Sequence, residues 1–139
     1  MKLSARNHFA GTVTKIDGGA VNGIVTLDVN GTAVSATISM AAIKELGLEP
    51  GKKAYAVIKA TEVMVGRGIH LPLSARNQFP GKVLAVEKGA VNSIVKMSVL
   101  GGNTLSATIS NAAVAELDLA PCEEALAVVK ATSVMVGVD

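Results

Sequence analysis

An internal repeat constrains the fold of this chain more than any other feature of its sequence. The repeated segments, each followed by its second copy, are residues 3–7 and 73–77, 19–22 and 89–92, 35–39 and 106–110, and 59–61 and 130–132. The offset is 70 residues for the first two segments and 71 for the last two, and over half of the aligned positions are identical. A repeat of this length is typical of small units in tandem. We therefore predict one domain over residues 1–68 and a second over residues 69–139.

The aromatic content is low, with two Phe, one Tyr and no Trp, so each core must be built from small aliphatic side chains. A unit of about 65 residues buries only ~60% of the surface that its unfolded chain exposes. We therefore expect the units to gain stability by packing on each other or on other subunits, which predicts an oligomer.

Composition argues against several broad classes of protein. No apolar run approaches the ~20 residues that span a bilayer, and no secretory leader is visible, so we expect a cytoplasmic protein without a membrane partner. Cys122 is the only cysteine, which leaves it no partner for a disulfide or a metal clip. The net charge of +2 is not concentrated in a basic stretch, unlike the charge of a protein that binds double-stranded DNA.

Each unit has the pattern of three strands, a short helix and two further strands. In the first unit the strands are predicted at 9–16, 20–29, 32–38, 53–59 and 61–65, and the helix at 40–46. Asn30-Gly31 suits a two-residue hairpin turn, and Ser39 and Gly47 suit the two caps of the helix. The predicted fold class is mainly β: two OB-like five-stranded antiparallel β-barrels in tandem. Whether the barrels exchange strands is left open.

The polar residues kept in both copies supply hydroxyls, amides and cations but no His, Cys or Asp. In the first unit they are Ser4, Arg6, Asn7, Asn22, Ser35, Thr37, Ser39, Lys59 and Thr61. The one retained acid, Glu45, falls within the predicted helix. No carboxylate pair, thiolate zinc site or phosphate-binding glycine loop is kept. We predict that the protein is not an enzyme and that it uses no side chain as a direct ligand of a metal cation.

The same inventory favours binding of a small oxyanion. On a strand, Lys59 and Thr61 would share a face, and Ser4 and Arg6 would do so if their segment is extended. Ser39 adds the free N–H groups of a helix start. Because all of these groups donate hydrogen bonds, a fully deprotonated dianion such as sulfate, molybdate or tungstate fits better than phosphate, whose proton needs an acceptor.

Each of these residues also has a structural interpretation. Ser4 and Arg6 could cap a strand and cover apolar surface with the arginine stem, and Ser39 could be only an N-cap. The segment Gly-Ala-Val-Asn at residues 19–22 could be only a tight turn, although its small residues leave backbone N–H groups accessible to an anion.

Three motifs together resemble the Mop (molbindin) domain. They are Ser-Ala-Arg-Asn near the start of each unit, Gly-Ala-Val-Asn in the middle, and Lys-Ala-Thr-x-Val-Met-Val at the end. The resemblance covers essentially all of both units, in the family's order and spacing, and the pair is similar to the tandem-domain molbindins. It implies OB-like barrels, assembly as a homotrimer, and binding of molybdate, with tungstate as a second ligand, in the cytoplasm.

The resemblance also implies which residues would bind the oxyanion. Sites between subunits match Ser4, Arg6, Lys59, Ala60 and Thr61 with Ser39 from a neighbouring subunit, and likewise Ser74, Arg76, Lys130, Ala131 and Thr132 with Ser110. Sites near the three-fold axis match the backbone of Ala20, Val21 and Asn22, and of Ala90, Val91 and Asn92. The family often has a further hydroxyl where this chain has Ala42 and Ala113.

The sequence thus predicts a protein that stores or buffers molybdate through charge-assisted hydrogen bonds. Two other hypotheses stand beside it. A single-stranded nucleic-acid-binding module of the OB type would need aromatic residues for base stacking, and this chain has few. A structural scaffold, in which the kept polar residues only join subunits, would be indifferent to oxyanions.

Overall fold

Two curled, five-stranded antiparallel sheets form the protein in a computed structural model that describes all 139 residues. In the first half the elements are β1 (Asn7–Gly18), β2 (Asn22–Val29), β3 (Thr32–Ser39), α1 (Met40–Glu45), β4 (Lys53–Ile58), a 3₁₀ turn (Ala60–Glu62) and β5 (Met64–Gly66). In the second half they are β6 (Asn77–Lys88), β7 (Asn92–Val99), β8 (Asn103–Ser110), α2 (Asn111–Glu116), β9 (Glu124–Val129), a 3₁₀ turn (Ala131–Ser133) and β10 (Met135–Gly137). The predicted mainly β fold class with two tandem five-stranded units is therefore confirmed.

The two halves exchange their last strands. The first sheet has the order β10-β4-β1-β2-β3, and the second has the order β5-β9-β6-β7-β8. Met135 of β10 lies opposite Val57 of β4, and Met64 of β5 lies opposite Val128 of β9. Each sheet therefore takes strands from both sides of residues 68 and 69. The division of the chain at this point into two domains stays a prediction from the sequence repeat.

Polar contacts hold the chain at the end of each exchanged strand. After β10, the Asp139 carboxylate accepts a hydrogen bond from the Tyr55 hydroxyl at 2.9 Å, and this bond raises the pKa of Tyr55 above its usual value. After β5, Arg67 donates to the Glu124 carbonyl oxygen at 2.6 Å and lies 3.3 Å from the Glu123 carboxylate. The two halves thus reach the same topology with different side chains.

β1 serves two neighbouring strands because it changes partner near Gly11. Its residues 7–12 pair with β4, and its residues 12–18 pair with β2. A Cβ atom on Gly11 would lie 2.6 Å from the carbonyl oxygen of Asp28. Glycine is therefore required at this close approach of two backbones.

Both helices begin at the predicted serine caps. Ser39 Oγ accepts a hydrogen bond from the Ala42 N–H at 3.0 Å in α1, and Ser110 caps α2 in the same way. Gly47 follows α1 with a φ of 62°, as a C′ glycine should. Asp118 takes its place after α2 with a φ of 51°, a left-handed conformation that Asp tolerates better than most residues.

The prediction that residue 61 starts a strand was wrong. Residues 60–62 form a 3₁₀ turn, in which the Glu62 N–H donates to the Lys59 carbonyl oxygen at 2.9 Å. The turn redirects the chain from β4 towards the other half, where β5 joins the second sheet. Lys59 therefore precedes a turn and Thr61 lies within it, so the two residues do not share the face of a strand.

A buried asparagine ties each half to the other. The Asn7 side chain is 1% exposed; it accepts from the Ser106 N–H at 2.7 Å and donates to the Ser106 carbonyl oxygen at 2.8 Å. Asn77 makes the same pair of bonds with Ser35, both at 2.8 Å. Each amide satisfies one N–H and one C=O of an edge strand, as a further strand would. The two kept asparagines are therefore structural residues.

The hydrophobic core is continuous across both halves and is aliphatic apart from two phenylalanines. Phe9 and Phe79 are 3% and 2% exposed, so neither ring is available at the surface. No helix is long and apolar enough to cross a membrane.

Candidate functional site

An open pocket of about 530 Å³ gathers the predicted anion-binding residues of the first half. Its donors come from two segments that are far apart in sequence. The segment before β1 contributes Ser4 and Arg6, and the end of β4 with its 3₁₀ turn contributes Lys59, Ala60 and Thr61. The structure therefore brings five of the predicted residues to one place, although the local geometry at Thr61 differs from the prediction.

The pocket is positively charged and contains no acid. Arg6 and Lys59 are its charged residues, and neither takes part in a salt bridge of this chain. The acidic residue next in sequence, Glu62, accepts a hydrogen bond from the Ser133 hydroxyl at 3.1 Å and does not line the pocket. Two unpaired cations beside hydroxyl groups favour an anion that needs donors only.

The second half supplies a wall of this pocket. Thr108 of β8 and Met135 of the exchanged strand β10 both line it. Thr108 was not among the predicted site residues, although a signal existed: Ser106, Thr108 and Ser110 alternate along a strand and so project from one face. The sequence does not indicate that this face of β8 contacts the first half.

The corresponding residues of the second half occupy the same elements. Ser74 and Arg76 precede β6, and Lys130 precedes the second 3₁₀ turn, where the Ser133 N–H donates to the Lys130 carbonyl oxygen at 2.9 Å. Ser74, Arg76, Lys130 and Thr132 are exposed. Ala131 is 8% exposed and is therefore covered more completely than the half-buried Ala60.

The helix-capping serines lie apart from the pocket within one chain. Ser39 and Ser110 are exposed, and their hydroxyl oxygens accept the N–H groups of Ala42 and Ala113. Neither serine lines the pocket around Arg6. Their expected contribution from a neighbouring subunit stays a prediction.

The Gly-Ala-Val-Asn segments form the connections from β1 to β2 and from β6 to β7. The carbonyl oxygens of Val21 and Val91 accept from the first residues of the helices, at 2.7 and 2.8 Å. The N–H groups of Ala20, Val21, Ala90 and Val91 have no acceptor within the chain. Both valine side chains are 73% exposed. Each segment therefore presents free backbone donors on an apolar, accessible surface, with Asn22 and Asn92 beginning the next strands.

The fold and this site define a tandem of strand-exchanged β-sheet units with a cation-lined pocket between the halves. A TOBE domain is matched twice, over residues 3–65 and 73–136. The chain therefore belongs to the TOBE-domain family, as a tandem of two such domains, and the resemblance to the Mop domain is confirmed.

Two proteins that match nearly the whole chain support this assignment. The molybdenum transport protein ModE of Herbaspirillum seropedicae is 44% identical over 141 residues, which cover 100% of this chain and 52% of that protein. The molybdenum-pterin-binding protein MopA of Rhodobacter capsulatus is 34% identical over 139 residues, or 99% of this chain and 52% of the relative. The chain thus spans about half the length of these relatives.

A shorter relative and a solved structure are matched over nearly their whole length. A probable molybdenum-pterin-binding protein of Haemophilus influenzae is 58% identical over 67 residues, which are 48% of this chain and 97% of that protein. A crystal structure of the cytoplasmic molybdate-binding protein ModG, with molybdate bound, has a TM-score of 0.96 and 40% sequence identity over the whole of both chains.

Proposed function

We propose that this protein binds molybdate, and also tungstate, in the cytoplasm and serves as an intracellular store or buffer of the oxyanion. The observation that carries the proposal is the pocket in which Arg6 and Lys59 meet the hydroxyls of Ser4 and Thr61 without any carboxylate. The molybdate-bound ModG structure, which matches this chain over its full length, supports the choice of ligand.

The chemistry of the pocket fits a tetrahedral dianion that carries no proton. Hydrogen bonds from charged donors contribute ~1.5–3 kcal/mol each, so a few of them are enough for micromolar affinity. Phosphate near neutral pH keeps a proton that needs an acceptor, and the lining of this pocket offers no acidic side chain. The pocket should therefore discriminate by protonation state as well as by size.

The equivalent residues of the second half are proposed to form a second site of the same kind. Its donors would be Ser74, Arg76, Lys130 and Thr132, with the backbone of Ala131. We further propose that three chains assemble as a homotrimer, in which Ser39 and Ser110 complete these sites from neighbouring subunits. The free N–H groups of Ala20, Val21, Ala90 and Val91, with Asn22 and Asn92 beside them, would then converge on further anions near the three-fold axis.

We propose a binding role without catalysis, because the donor groups kept in both halves suit an anion. The chain contains no group of three or more His, Cys, Asp and Glu residues that could hold a metal ion. The buried rings of Phe9 and Phe79 also disfavour base stacking, which argues against binding of single-stranded nucleic acid.

Isothermal titration with molybdate tests the proposal. Lys59→Ala should abolish or strongly weaken binding in the first half and leave the second half intact, so the number of sites per chain should fall. Lys53→Ala is the matched control, because it removes the same charge from the start of β4, outside the pocket. Loss of binding by both variants, or no molybdate binding by the unmodified protein, would overturn the assignment.

A further inference from the structure

We propose that Gln78 is a positioning residue that holds the anion-binding segment of the second half, and that its replacement by His8 in the first half makes the two sites unequal. This inference rests on the proposed function. It adds an order of affinity: the site built on Arg76 should bind molybdate more tightly than the site built on Arg6.

The Gln78 side chain spans the segment that carries Ser74 and Arg76. Its Oε1 accepts from the Leu71 N–H at 2.8 Å, and its Nε2 donates to the Leu71 carbonyl oxygen at 3.0 Å and to the Ala75 carbonyl oxygen at 3.4 Å. The segment precedes β6 and belongs to no strand ladder. The amide of Gln78 therefore holds Leu71 and Ala75, in a segment that would otherwise be held by few backbone hydrogen bonds. We call these three hydrogen bonds of Gln78 the clamp.

The first half has no such clamp. His8 occupies the position of Gln78, is exposed, and makes no side-chain hydrogen bond within the chain. The Met1 nitrogen lies 3.7 Å from the Asp139 carboxylate, but an ion pair with so exposed a partner contributes little. The segment carrying Ser4 and Arg6 is thus less restrained than its counterpart.

A proline adds to the difference between the halves. Pro72 stands where the first half has Lys2. Proline fixes its own φ and confines the preceding residue, here Leu71, to extended conformations. Gln78 therefore binds a backbone segment, Leu71-Pro72, whose conformational freedom is already small.

One packing contact is shared by the two segments. The side chain of Leu71 packs on Gly66 of β5, where an added Cβ would lie 2.8 Å from Leu71 Cδ1. The side chain of Met1 packs on Gly137 of β10, where the corresponding distance to Met1 Cε is 2.5 Å. Both segments thus rest on the exchanged strand of the opposite half. Besides the amide of Gln78, the second segment has a hydrogen bond from the Leu73 N–H to the Leu71 carbonyl oxygen at 2.8 Å, and the first segment has no counterpart between residues 3 and 1.

A clamped segment should bind its ligand more tightly because less conformational entropy is lost on binding. Ordering the backbone of one residue costs ~1–2 kcal/mol, so a segment that is already ordered before binding should gain affinity on the order of tenfold. The donors themselves, an arginine, a lysine and two hydroxyls, are the same in both halves. The ratio of the two molybdate affinities should therefore depend on which residues occupy positions 78 and 8.

Titrations of the full chain with molybdate in two backgrounds test this. Of the two sites that use a lysine, Lys59→Ala leaves the one built on Lys130, and adding Gln78→Ala to it should weaken binding at that site roughly tenfold. Lys130→Ala leaves the first site, and adding His8→Gln to it should tighten binding by a similar factor, since residues 1 and 8 have the same separation as residues 71 and 78. His8→Ala in the second background should leave the affinity unchanged.

Hydrogen exchange without molybdate gives an independent measurement. The Leu71 amide should be protected in the unmodified protein and should lose protection in Gln78→Ala. If molybdate does not bind at all, the proposed function fails while the exchange data still report on the clamp. If molybdate binds but Gln78→Ala and His8→Gln both leave its affinity within about twofold, the inference is wrong. Unchanged exchange at Leu71 would also overturn it. If Gln78→Ala does not fold, His8→Gln alone decides.

Discussion

Replacing Asn7 by alanine should destabilise the whole protein, because this buried side chain joins the two halves. Asn7 satisfies both the N–H and the carbonyl oxygen of Ser106, at 2.7 and 2.8 Å. A buried donor or acceptor left without a partner costs ~1–3 kcal/mol. Ser106 is half-buried, so water can restore part of the loss. We expect a decrease in the free energy of unfolding of ~2–4 kcal/mol for Asn7→Ala.

The assay is urea or thermal unfolding at several protein concentrations, since assembly would make the midpoint depend on concentration. For a chain of this length ~1 kcal/mol corresponds to about 3–4 °C in the melting temperature, so the midpoint should fall by roughly 6–15 °C. His8→Ala is the matched control: the neighbouring side chain is exposed and makes no hydrogen bond. Its effect should stay within ~0.5 kcal/mol.

Asn7→Asp refines the test. An aspartate could still accept from the Ser106 N–H, but its carboxylate would face the Ser106 carbonyl oxygen without a proton to donate. It should therefore be about as destabilising as alanine at neutral pH. If Asn7→Ala and His8→Ala unfold at the same midpoint, the cross-half amide does not contribute as the structure indicates, and the reasoning is refuted.

Two further predictions concern the backbone. Gly11→Ala should lower the free energy of unfolding by more than ~2 kcal/mol, because the added Cβ would lie 2.6 Å from the Asp28 carbonyl oxygen; an unchanged urea midpoint would mean that the two strands can separate at no cost. Ser110→Ala should cost ~1 kcal/mol, because the Ala113 N–H loses the acceptor that it has at 3.1 Å; a thermal melt within error of the unmodified protein would show that the cap does not stabilise α2.

Local features were predictable because they depend on signals a few residues apart. The Asn30-Gly31 turn forms with φ values of 50° and 89°, as its sequence requires. The serine caps act over three residues, and the alternation of apolar residues sets the strands of each sheet. The predicted gathering of Ser4 and Arg6 with Lys59 is also observed, whereas their role in binding stays a prediction.

The strand exchange could not be predicted, for a physical reason. β5 and β10 have the same sequence, Met-Val-Gly, so each would pair equally well with β4 or with β9. The choice depends on the direction in which the 3₁₀ turn sends the chain and on how the halves pack. Thr108 was missed for the same reason, because its place in the pocket depends on which half its strand faces.

The exchange also determines how the two sites relate to each other. The first pocket takes its cations from one half and Thr108 and Met135 from the other, so opening either half removes part of the pocket. If an anion binds there as proposed, it should stabilise both halves together, because a ligand of the complete pocket favours the form in which the pocket is assembled. Two sites in one such body that differ at Gln78 and His8 should fill in a defined order, with the clamped site first. A chain of this kind would hold its first anion firmly and exchange its second more readily, which suits a buffer better than two equal sites would.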